Sequence, residues 1–342
     1  MRVGVALPHY DFSFPGKELA WEALRETAVW AERAGFHSAW ISDHYFFDIS
    51  RYGGPPGPRA GFDPLAALAG LVPTTRSLVL GTLVLAVGLR PPSVLAKTVA
   101  SLDRLSGGRF ELGLGAGWNE PEYRAAGLPF PPPRVRLAEL GEAAELVRAM
   151  TGAERATWSG HSFRVDDAPN LPAAERRPVP IWIGAKGDRA LGVVARHADG
   201  WNVVWRWTPD SYQERLQVLE RACEHVGRDP ADIRRSVGLI TLVGESRRDL
   251  EGRLRRWQEL APPGVGAGDL QDSTAGRLVG TPEQVVERLA ELQALGVDEL
   301  VANFAPLPFG WYEDSGADLF SEQVLPTVAA WPDRLERVGK ES

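Results

Sequence analysis

Short apolar runs alternate with longer amphipathic stretches along most of this sequence. In the longer stretches an apolar residue recurs every three or four positions, which places the apolar side chains on one face of a helix. The predicted helices are Lys17–Ala34, Asp63–Thr75, Ser93–Leu105, Arg134–Met150, Asp188–His197, Pro209–Val226, Arg247–Glu259, a segment from Thr281 to Gly296, and about Asp318–Val338. The predicted strands are Val3–Leu7, Ser38–Ser42, Leu78–Val87, a stretch within Arg109–Glu120, Val179–Ile183, Gly200–Val204, Ser236–Val243 and Val297–Ala302.

The order of these elements predicts the fold class. Leu78–Val87 is a nearly continuous apolar run, typical of a strand that is covered on both faces. Alternating strands and helices predict a parallel sheet, either open and doubly wound or closed as a barrel, and about eight repeats favour the barrel. The turn after the first strand lacks the Gly-x-Gly-x-x-Gly pattern, which argues against a Rossmann dehydrogenase. We therefore predict an α/β protein, a (β/α)8 TIM barrel in one domain, with insertions around 115–135, 151–180 and 262–279.

Several local signals refine this prediction. Thr281-Pro282-Glu283-Gln284 has the residues of a capping box, with a hydroxyl at the N-cap, proline at N1 and an amide at N3. Between Thr151 and Pro180 the pattern predicts a small hairpin outside the main repeat. Arg51–Gly61 is rich in glycine and proline and is predicted to be a loop, and Pro262–Arg277 is a glycine-rich loop.

Composition and charge exclude several classes of protein. The chain has 342 residues, of which 44% are hydrophobic and 24% charged, values typical of a globular protein with a full core. The net charge of −7, without a basic run, argues against nucleic-acid binding. Cys223 is the single cysteine, so no internal disulfide is expected. The sequence begins without a signal-like segment and has no membrane-length apolar run, so we expect a cytoplasmic protein.

Polar and aromatic residues follow the predicted strands, where a barrel carries its chemistry. His9 follows the first strand, and Asp43 and His44 follow the second. Two glycine-rich turns and further polar groups follow later strands: Gly115–Asn119, Gly184–Gly187, Trp205–Trp207 and Asn303. The sequence therefore predicts a histidine beside a carboxylate, with flat aromatic side chains, at one rim.

The stretch Arg109–Glu120, RFELGLGAGWNE, has two interpretations. Its first half alternates apolar residues with Glu111, Gly113 and Gly115, which predicts a half-buried strand. The glycines then leave bare backbone where the strand ends. This backbone either forms an ordinary tight turn or admits a flat ligand to the main chain.

Two other rim segments also have competing interpretations. Gly184–Asp188 precedes a helix, so its backbone N–H groups and Lys186 suit a phosphate, although an ordinary turn capped by Asp188 fits as well. His44, beside Asp43, suits proton transfer near neutral pH, although both side chains could be structural. A metal site is disfavoured, because no two histidines have a ligand spacing on a helix. A nucleophilic hydrolase is also disfavoured, since there is no Gly-x-Ser-x-Gly elbow and Cys223 lies within a helix.

Longer motifs resemble one known family. These motifs are LVLGTLVLAVGLRPPSVLAKTVASLDRLSGGRFELGLGAGWNEPEYRAAG, SDHYF, PIWIGAKGDRALGVVARHADGWN and GTPEQVVERLAELQALGVDEL, which cover nearly the whole chain in the family's order. They resemble the bacterial luciferase-like flavin-dependent superfamily, and within it the branch that uses the deazaflavin coenzyme F420. The family fold is a (β/α)8 barrel with an insertion.

The resemblance implies roles for individual residues. Asp43 and His44 match the family's Asp-His pair, in which the histidine contacts substrate and moves a proton. Leu83-Val84 matches a bulge with a non-prolyl cis peptide behind the deazaflavin ring. The resemblance and the rim positions together give the predicted cofactor contacts: Asp43, Leu83, Val84, Ala86, Ala116, Gly117, Asn119, Gly184, Ala185, Lys186, Gly187, Arg189 and Ala190. His9, Trp118 and Trp205 are assigned to the substrate pocket.

Two positions depart from the family pattern. Trp118 stands where the sugar-phosphate dehydrogenases of the family have a catalytic glutamate, which puts glucose-6-phosphate oxidation in doubt. Its indole instead suits an apolar or aromatic substrate. Ala116 replaces a frequent hydroxyl residue.

We therefore expect an oxidoreductase in which bound coenzyme F420 (8-hydroxy-5-deazaflavin) exchanges a hydride with a small organic substrate. One alternative is an FMN-dependent monooxygenase that uses reduced flavin and oxygen. Another is a flavin-binding protein without turnover. The resemblance also implies a homodimer, and a flavin or F420 reductase is a candidate source of reduced cofactor. From the charge, the histidine spacing and the hydropathy we expect no nucleic acid, metal or membrane.

Overall fold

The computed structural model describes residues 1–16, 18–266 and 274–332. Its strands are β1 (Arg2–Ala6), β2 (Ser38–Ile41), β3 (Val79–Thr82), β4 (Leu85–Ala86), β5 (Phe110–Gly115), β6 (Arg155–Ser159), β7 (Arg164–Pro169), β8 (Ile181–Gly184), β9 (Gly200–Trp205), β10 (Arg234–Val243), β11 (Leu278–Gly280) and β12 (Glu299–Asn303). The main helices are α1 (Trp21–Ala34), α2 (Pro64–Leu71), α3 (Pro92–Ser106), α4 (Glu120–Ala125), α5 (Pro133–Gly152), α6 (Asp188–His197), α7 (Pro209–Val226), α8 (Arg247–Leu260), α9 (Pro263–Gly266) and α10 (Pro282–Ala294). The last helical segment combines Ala317–Leu319, a π-helical turn at Phe320–Val324, and Leu325–Ala329.

The parallel strands and the helices between them form a closed eight-stranded barrel, so the predicted (β/α)8 TIM-barrel class is confirmed. Contacts within the described residues divide the chain into two compact units. The first includes residues 1–62, 203–214 and the described part of the chain from 235 onward, and the second includes 63–202 and 215–234. That the whole chain is one domain stays a prediction.

The first unit is built on β1, which pairs in parallel with β2 and β12. β12 pairs with β10, and β10 with the short β11. Close to the amino ends of these strands the buried carboxylate of Glu299 accepts hydrogen bonds from the Ser38 hydroxyl and, at 3.1 Å, from the Trp40 indole. These donors satisfy a charge that would be costly to bury alone.

In the second unit β5 pairs in parallel with β3 and β8, and β8 pairs with β9. All six residues of β5 are buried, so the predicted half-buried strand is wrong. Glu111 is buried because its carboxylate meets two guanidinium nitrogens of Arg234, at 2.8 and 3.2 Å, and the Trp182 indole. The alternation of polar and apolar residues along β5 therefore separates two buried environments rather than core from solvent.

Two local features that the sequence predicts are present, a hairpin outside the repeat and a capping box. β6 and β7 form the antiparallel hairpin expected within 151–180. Helix α10 begins with the full capping box, in which Thr281 and Gln284 each bond the other's backbone N–H.

Several predicted boundaries are wrong. Helix α1 begins at Trp21, four residues later than predicted, after the turn at Pro15-Gly16. The run Leu78–Val87 is not one strand, since β3 ends at Thr82 and the chain continues as the short strand β4 and a 3₁₀ turn. The predicted loop at 262–277 begins with the helical turn α9, and residues 267–273 lie outside the described residues. The last helix ends at Ala329, and residues 333–338 of its predicted range also lie outside the described part.

Candidate active site

In the first unit, His9 lies at the centre of a buried hydrogen-bond chain. It is fully buried, its Nδ1 is 2.9 Å from the Leu7 carbonyl and its Nε2 is 3.2 Å from the Ser42 hydroxyl. A carbonyl can only accept, so Nδ1 carries the proton and Nε2 accepts from Ser42. Ser42 in turn accepts from the Tyr10 hydroxyl at 2.6 Å. The direction of every bond in the chain is thereby determined.

Burial keeps His9 neutral. Burial, with a smaller contribution from the nearby His44, lowers the pKa of this imidazole to about 3, against the opposing effect of the Leu7 hydrogen bond. A histidine with so low a pKa does not exchange a proton near neutral pH. His9 is therefore suited to hold Ser42 in place, at the end of the strand that continues into Asp43 and His44.

Asp43 and His44 emerge together from the carboxyl end of β2. Asp43 is buried and His44 is half-buried. The His44 ring meets the edge of Phe47, with ring centroids 4.8 Å apart, and lies 6.4 Å from the ring of Tyr10. An imidazole held between aromatic rings and still reachable from outside can serve as a general acid or base.

Phe309 is a site residue that the sequence pattern does not predict. Its ring centroid lies 5.1 Å from that of His9 and 5.1 Å from that of Trp205, so it joins two residues predicted for the substrate pocket. Its φ of +56° is rare for a phenylalanine. Asn303 accounts for this conformation, because its side chain accepts from the Phe309 N–H and donates to the carbonyls of Ala305 and Leu307.

In the second unit, glycines pack against the side chain of Val84. A Cβ at Gly115 would lie 2.6 Å from Val84 Cγ2, and one at Gly184 would lie 3.2 Å from Val84 Cγ1. The peptide between Leu83 and Val84 is cis, as the resemblance implies. The side chain of Val84 therefore packs against the glycine backbone of β5 within the same unit.

The side chain of Thr82 bonds to β5 at the point where β3 ends and before β4 begins. Its hydroxyl donates to the Gly113 carbonyl at 3.0 Å and accepts from the Gly113 N–H at 2.8 Å.

Gly117 has a φ of +73°, and a Cβ there would come within 2.1 Å of the Tyr123 hydroxyl. The space that Gly117 was predicted to leave for a ring is therefore bounded by Tyr123.

The remaining predicted contacts of this loop differ in exposure. Ala86 is half-buried and pairs in register with Gly115. Trp118 is 53% exposed, and Asn119 is the N-cap residue of α4 without a capping bond from its side chain. An indole this exposed suits the wall of an entrance rather than the core.

A cavity of about 490 Å³ lies in the second unit. Ala116 and Tyr123 line it, together with the 3₁₀ turn at Val87–Leu89 that follows Ala86. Arg136 also lines the cavity, and its guanidinium lies 3.9 Å from the Phe130 ring centroid. The volume is in the range of small-molecule sites.

The turn after β8 presents hydrogen-bond donors without a side-chain cap. Gly187 is the N-cap residue of α6 and has no side chain, so the N–H groups in the first turn of α6 have no capping side chain as acceptor. Lys186 and Arg189 are exposed beside these N–H groups. Asp188 does not cap the helix. Its carboxylate instead meets Arg215 at 2.9 Å. Ala185 is fixed by backbone bonds to Asn202 and the Trp201 indole. These donors fit a phosphate group.

Other site types find no support in the described residues. No group of three or more His, Cys, Asp or Glu side chains there is arranged for a metal ion. His197 contacts Glu145 at 3.3 Å, and Asp199 pairs with Arg148 at 2.8 Å and accepts from the Ile181 N–H. None of the described helices is long and apolar enough to cross a membrane.

Comparison with known proteins gives the family. The family described as luciferase-like monooxygenase matches residues 1–299. The chain therefore belongs to the luciferase-like monooxygenase family.

Relatives in this family carry different activities. An F420-dependent glucose-6-phosphate dehydrogenase of Nakamurella multipartita is 31% identical over 90% of this chain and 92% of its own length. An F420-dependent hydroxymycolic acid dehydrogenase of Mycobacterium tuberculosis is 31% identical over 89% of this chain and 75% of its own length. An F420-dependent secondary alcohol dehydrogenase, solved with an F420-acetone adduct, superposes with a TM-score of 0.75 at 19% identity, covering 96% of this chain and 98% of its own. That structural likeness concerns the fold.

Proposed function

We propose that this protein is an oxidoreductase that transfers a hydride between bound coenzyme F420 and a small organic substrate. Family membership and the F420-dependent relatives support the cofactor. The observation that carries the proposal furthest is the turn after β8, where Lys186, Arg189 and an uncapped helix N-terminus offer donors to a phosphate.

The second unit fits the predicted cofactor at two further points. The cavity is lined by Ala116 and by Val87, the residue that follows Ala86, so one predicted contact borders space of ligand size and a second is next to it in the chain. Arg189 forms no ion pair with any residue that the structure describes, which leaves its guanidinium available for an anion. We assign the cofactor to the contacts predicted from the sequence: Asp43, Leu83, Val84, Ala86, Ala116, Gly117, Asn119, Gly184, Ala185, Lys186, Gly187, Arg189 and Ala190.

When bound, the deazaflavin supplies the carbon that accepts or donates the hydride. His44 takes or returns the accompanying proton at an imidazole nitrogen, and Asp43 orients it. His9 and Ser42 hold the backbone that carries this pair, through the buried hydrogen-bond chain. Trp118 and Trp205 give the substrate apolar and aromatic surfaces.

A His44→Gln variant tests the catalytic part of the proposal. The protein is loaded with F420, and hydride transfer from a panel of secondary alcohols is followed by the loss of absorbance of the oxidised cofactor. We expect unchanged cofactor affinity and a rate that falls about 10²- to 10⁴-fold, the contribution of a general acid or base. His161→Gln, on the exposed hairpin turn, is the matched control. Equal rates in His44→Gln and wild type would refute the proton role.

Two alternatives have their own signatures. An FMN-dependent monooxygenase, which the family description favours, would consume oxygen with reduced flavin. A flavin-binding protein without turnover would take up cofactor and exchange no hydride with any donor. The proposal further includes a homodimer, a cytoplasmic location and a reductase that supplies reduced cofactor, all of them inferred from the family resemblance.

A further inference from the structure

The cavity of the second unit has a mostly apolar lining, to which the hairpin of β6 and β7 contributes. Its volume is about 490 Å³. The apolar residues of the lining include Val87, Leu89, Leu128, Pro129, Leu146 and Phe163. Space of this size and character suits a small molecule with an apolar body. The charged side chains at the cavity then decide which kind of small molecule fits.

The turn of the hairpin is held to α5 by one carboxylate. Glu142 Oε1 accepts a hydrogen bond from the backbone N–H of His161 at 3.0 Å. Its Oε2 accepts from the N–H groups of Ser162 at 2.7 Å and Phe163 at 3.2 Å. Hydrogen bonds to an ionised acceptor are stronger than those between neutral groups, and three of them converge here. The chain itself therefore fixes the part of the cavity wall that the hairpin supplies.

Arg136 borders the cavity with part of its guanidinium unsatisfied. Its Nη1 donates to the Pro131 carbonyl at 2.5 Å, and its guanidinium carbon lies 3.9 Å from the centroid of the Phe130 ring. Tyr123 meets the edge of that ring, with ring centroids 5.0 Å apart. The Nε of Arg136 is buried and forms no hydrogen bond within the described residues. Stacking occupies the face of a guanidinium and leaves the N–H donors at its edge for an acceptor.

No carboxylate in the described part of the chain forms an ion pair with Arg136. Glu139 lies three residues further along α5 and also borders the cavity. Burial raises the pKa of the Glu139 carboxyl and the charge of Glu142 raises it further, whereas Arg136 lowers it. The net direction is upward, opposite to that of a carboxylate in a tight ion pair. Arg90, a further arginine of the lining, is paired with Asp63 at 2.7 Å.

We propose that this cavity binds a small carboxylic acid with an apolar body, whose carboxylate meets the Nε edge of Arg136. The Nε and Nη2 donors of that edge match the two oxygens of a carboxylate. A buried donor without an acceptor gains most from such a partner. Arg164 adds a second positive charge from the hairpin. Binding of the acid does not depend on the proposed hydride transfer, because it requires no turnover.

Benzoate and benzamide are the probes, since they share an apolar ring and differ in charge. Each is titrated calorimetrically at constant ionic strength into the full chain without F420. We expect saturable binding of benzoate, about tenfold or more tighter than that of benzamide, which is the contribution of a charge-assisted hydrogen bond. Equal affinities for the two probes, or no saturable binding of benzoate, would overturn the proposal.

Arginine variants assign the charge preference. Arg136→Gln should lower the affinity for benzoate to that for benzamide, whereas Arg134→Gln, which changes an exposed arginine of the same helix, should bind both probes like the wild type. Unfolding temperatures without probe show whether each variant is folded. Arg136→Lys keeps the charge without the paired donors and should retain only part of the preference. Wild-type affinity for benzoate in folded Arg136→Gln, or in Arg136→Lys, would contradict the paired contact.

Phe163→Ala locates the apolar part of the site. Phe163 is half-buried on the hairpin and lines the cavity, so its removal takes away apolar contact without changing any charge. We expect benzoate and benzamide both to bind about threefold or more weakly, with the ratio of their affinities retained. Unchanged binding of both probes would place them outside this cavity, and the proposal would be wrong.

The titrations are repeated with F420 bound, which distinguishes two sources of the acid. Benzoate that still binds identifies a ligand separate from the cofactor. Benzoate that F420 displaces identifies an acidic group of the cofactor or of a substrate held beside it. Either result supports an acid site, provided that the benzoate affinity depends on Arg136. F420 binding is measured separately, so a failure of the proposed cofactor leaves the benzoate result readable.

Discussion

His9 makes the stability of this protein sensitive to acid. The folded protein holds His9 neutral, with a pKa of about 3, whereas the unfolded chain protonates it below about pH 6.5. Because the folded-state pKa is the lower one, the unfolded state binds the proton first as the pH falls. His9 therefore contributes its full stability above about pH 6.5 and loses it progressively down to about pH 3.

The size of this effect follows from the two pKa values. Each pH unit within the window costs about 1.4 kcal/mol of unfolding free energy, so moving from pH 7 to pH 4.5 costs about 2.7 kcal/mol through His9 alone. His9 is fully buried, so solvent does not weaken the effect. Protonation of carboxylates adds to the acid sensitivity of every variant alike.

Urea unfolding at a series of pH values, followed by circular dichroism, isolates the histidine. His9→Gln can still accept the Ser42 hydrogen bond but cannot take up a proton. We expect it to be less stable than the wild type at pH 7 and to lose about 2–3 kcal/mol less between pH 7 and pH 4.5. His161→Gln is the exposed control and should follow the wild-type profile. Parallel profiles for wild type and His9→Gln would refute the reasoning.

Packing around the glycines and the buried ion pair gives two further predictions. Gly115→Ala places a Cβ 2.6 Å from Val84 Cγ2 and should lower the unfolding free energy by about 1–3 kcal/mol in urea titration. Gly187→Ala meets nothing within 4 Å, so it should cost only the loss of a glycine N-cap, below about 1 kcal/mol. Arg234→Met leaves the buried carboxylate of Glu111 without its bidentate partner and should cost about 3 kcal/mol, measured the same way. Replacing both Arg234 and Glu111 by apolar residues should recover most of that loss, and no recovery would contradict the assignment of an unpaired buried charge.

Much of the fold was predictable because its signals are local. The bounds of α6 and α7 agree with the predicted Asp188–His197 and Pro209–Val226, since each helix has a clear amphipathic repeat. The capping box at Thr281 depends on a four-residue pattern and is present as predicted. The number of strand and helix repeats was sufficient for the barrel class.

The rest depends on contacts between distant residues. Glu111 looked like a solvent-facing position of β5, and its burial is explained by distant partners such as Trp182 and Arg234, the latter 123 residues away. The glycines of β5 indicated a close approach, but not that Val84 supplies it. Phe309 gave no signal, because its conformation is imposed by the side chain of Asn303.

Of the predicted site residues, the structure brings together those of each unit. His9, His44 and Trp205 share contacts through Tyr10 and Phe309 in the first unit. The second unit places Val84 against Gly115 and Gly184. Strand order alone predicts such groupings, because consecutive polar groups follow strands that end at one rim. Their roles in binding and catalysis stay predictions.

Titration of the cofactor-free protein with F420 and, separately, with FMN tests the central claim most directly. Quenching of cofactor fluorescence reports binding, and Arg189→Gln measures how much the proposed phosphate seat contributes. The account predicts saturable binding of F420, binding at least tenfold weaker in Arg189→Gln, and weaker binding of FMN than of F420. Tight binding of FMN with no response to F420 would contradict it.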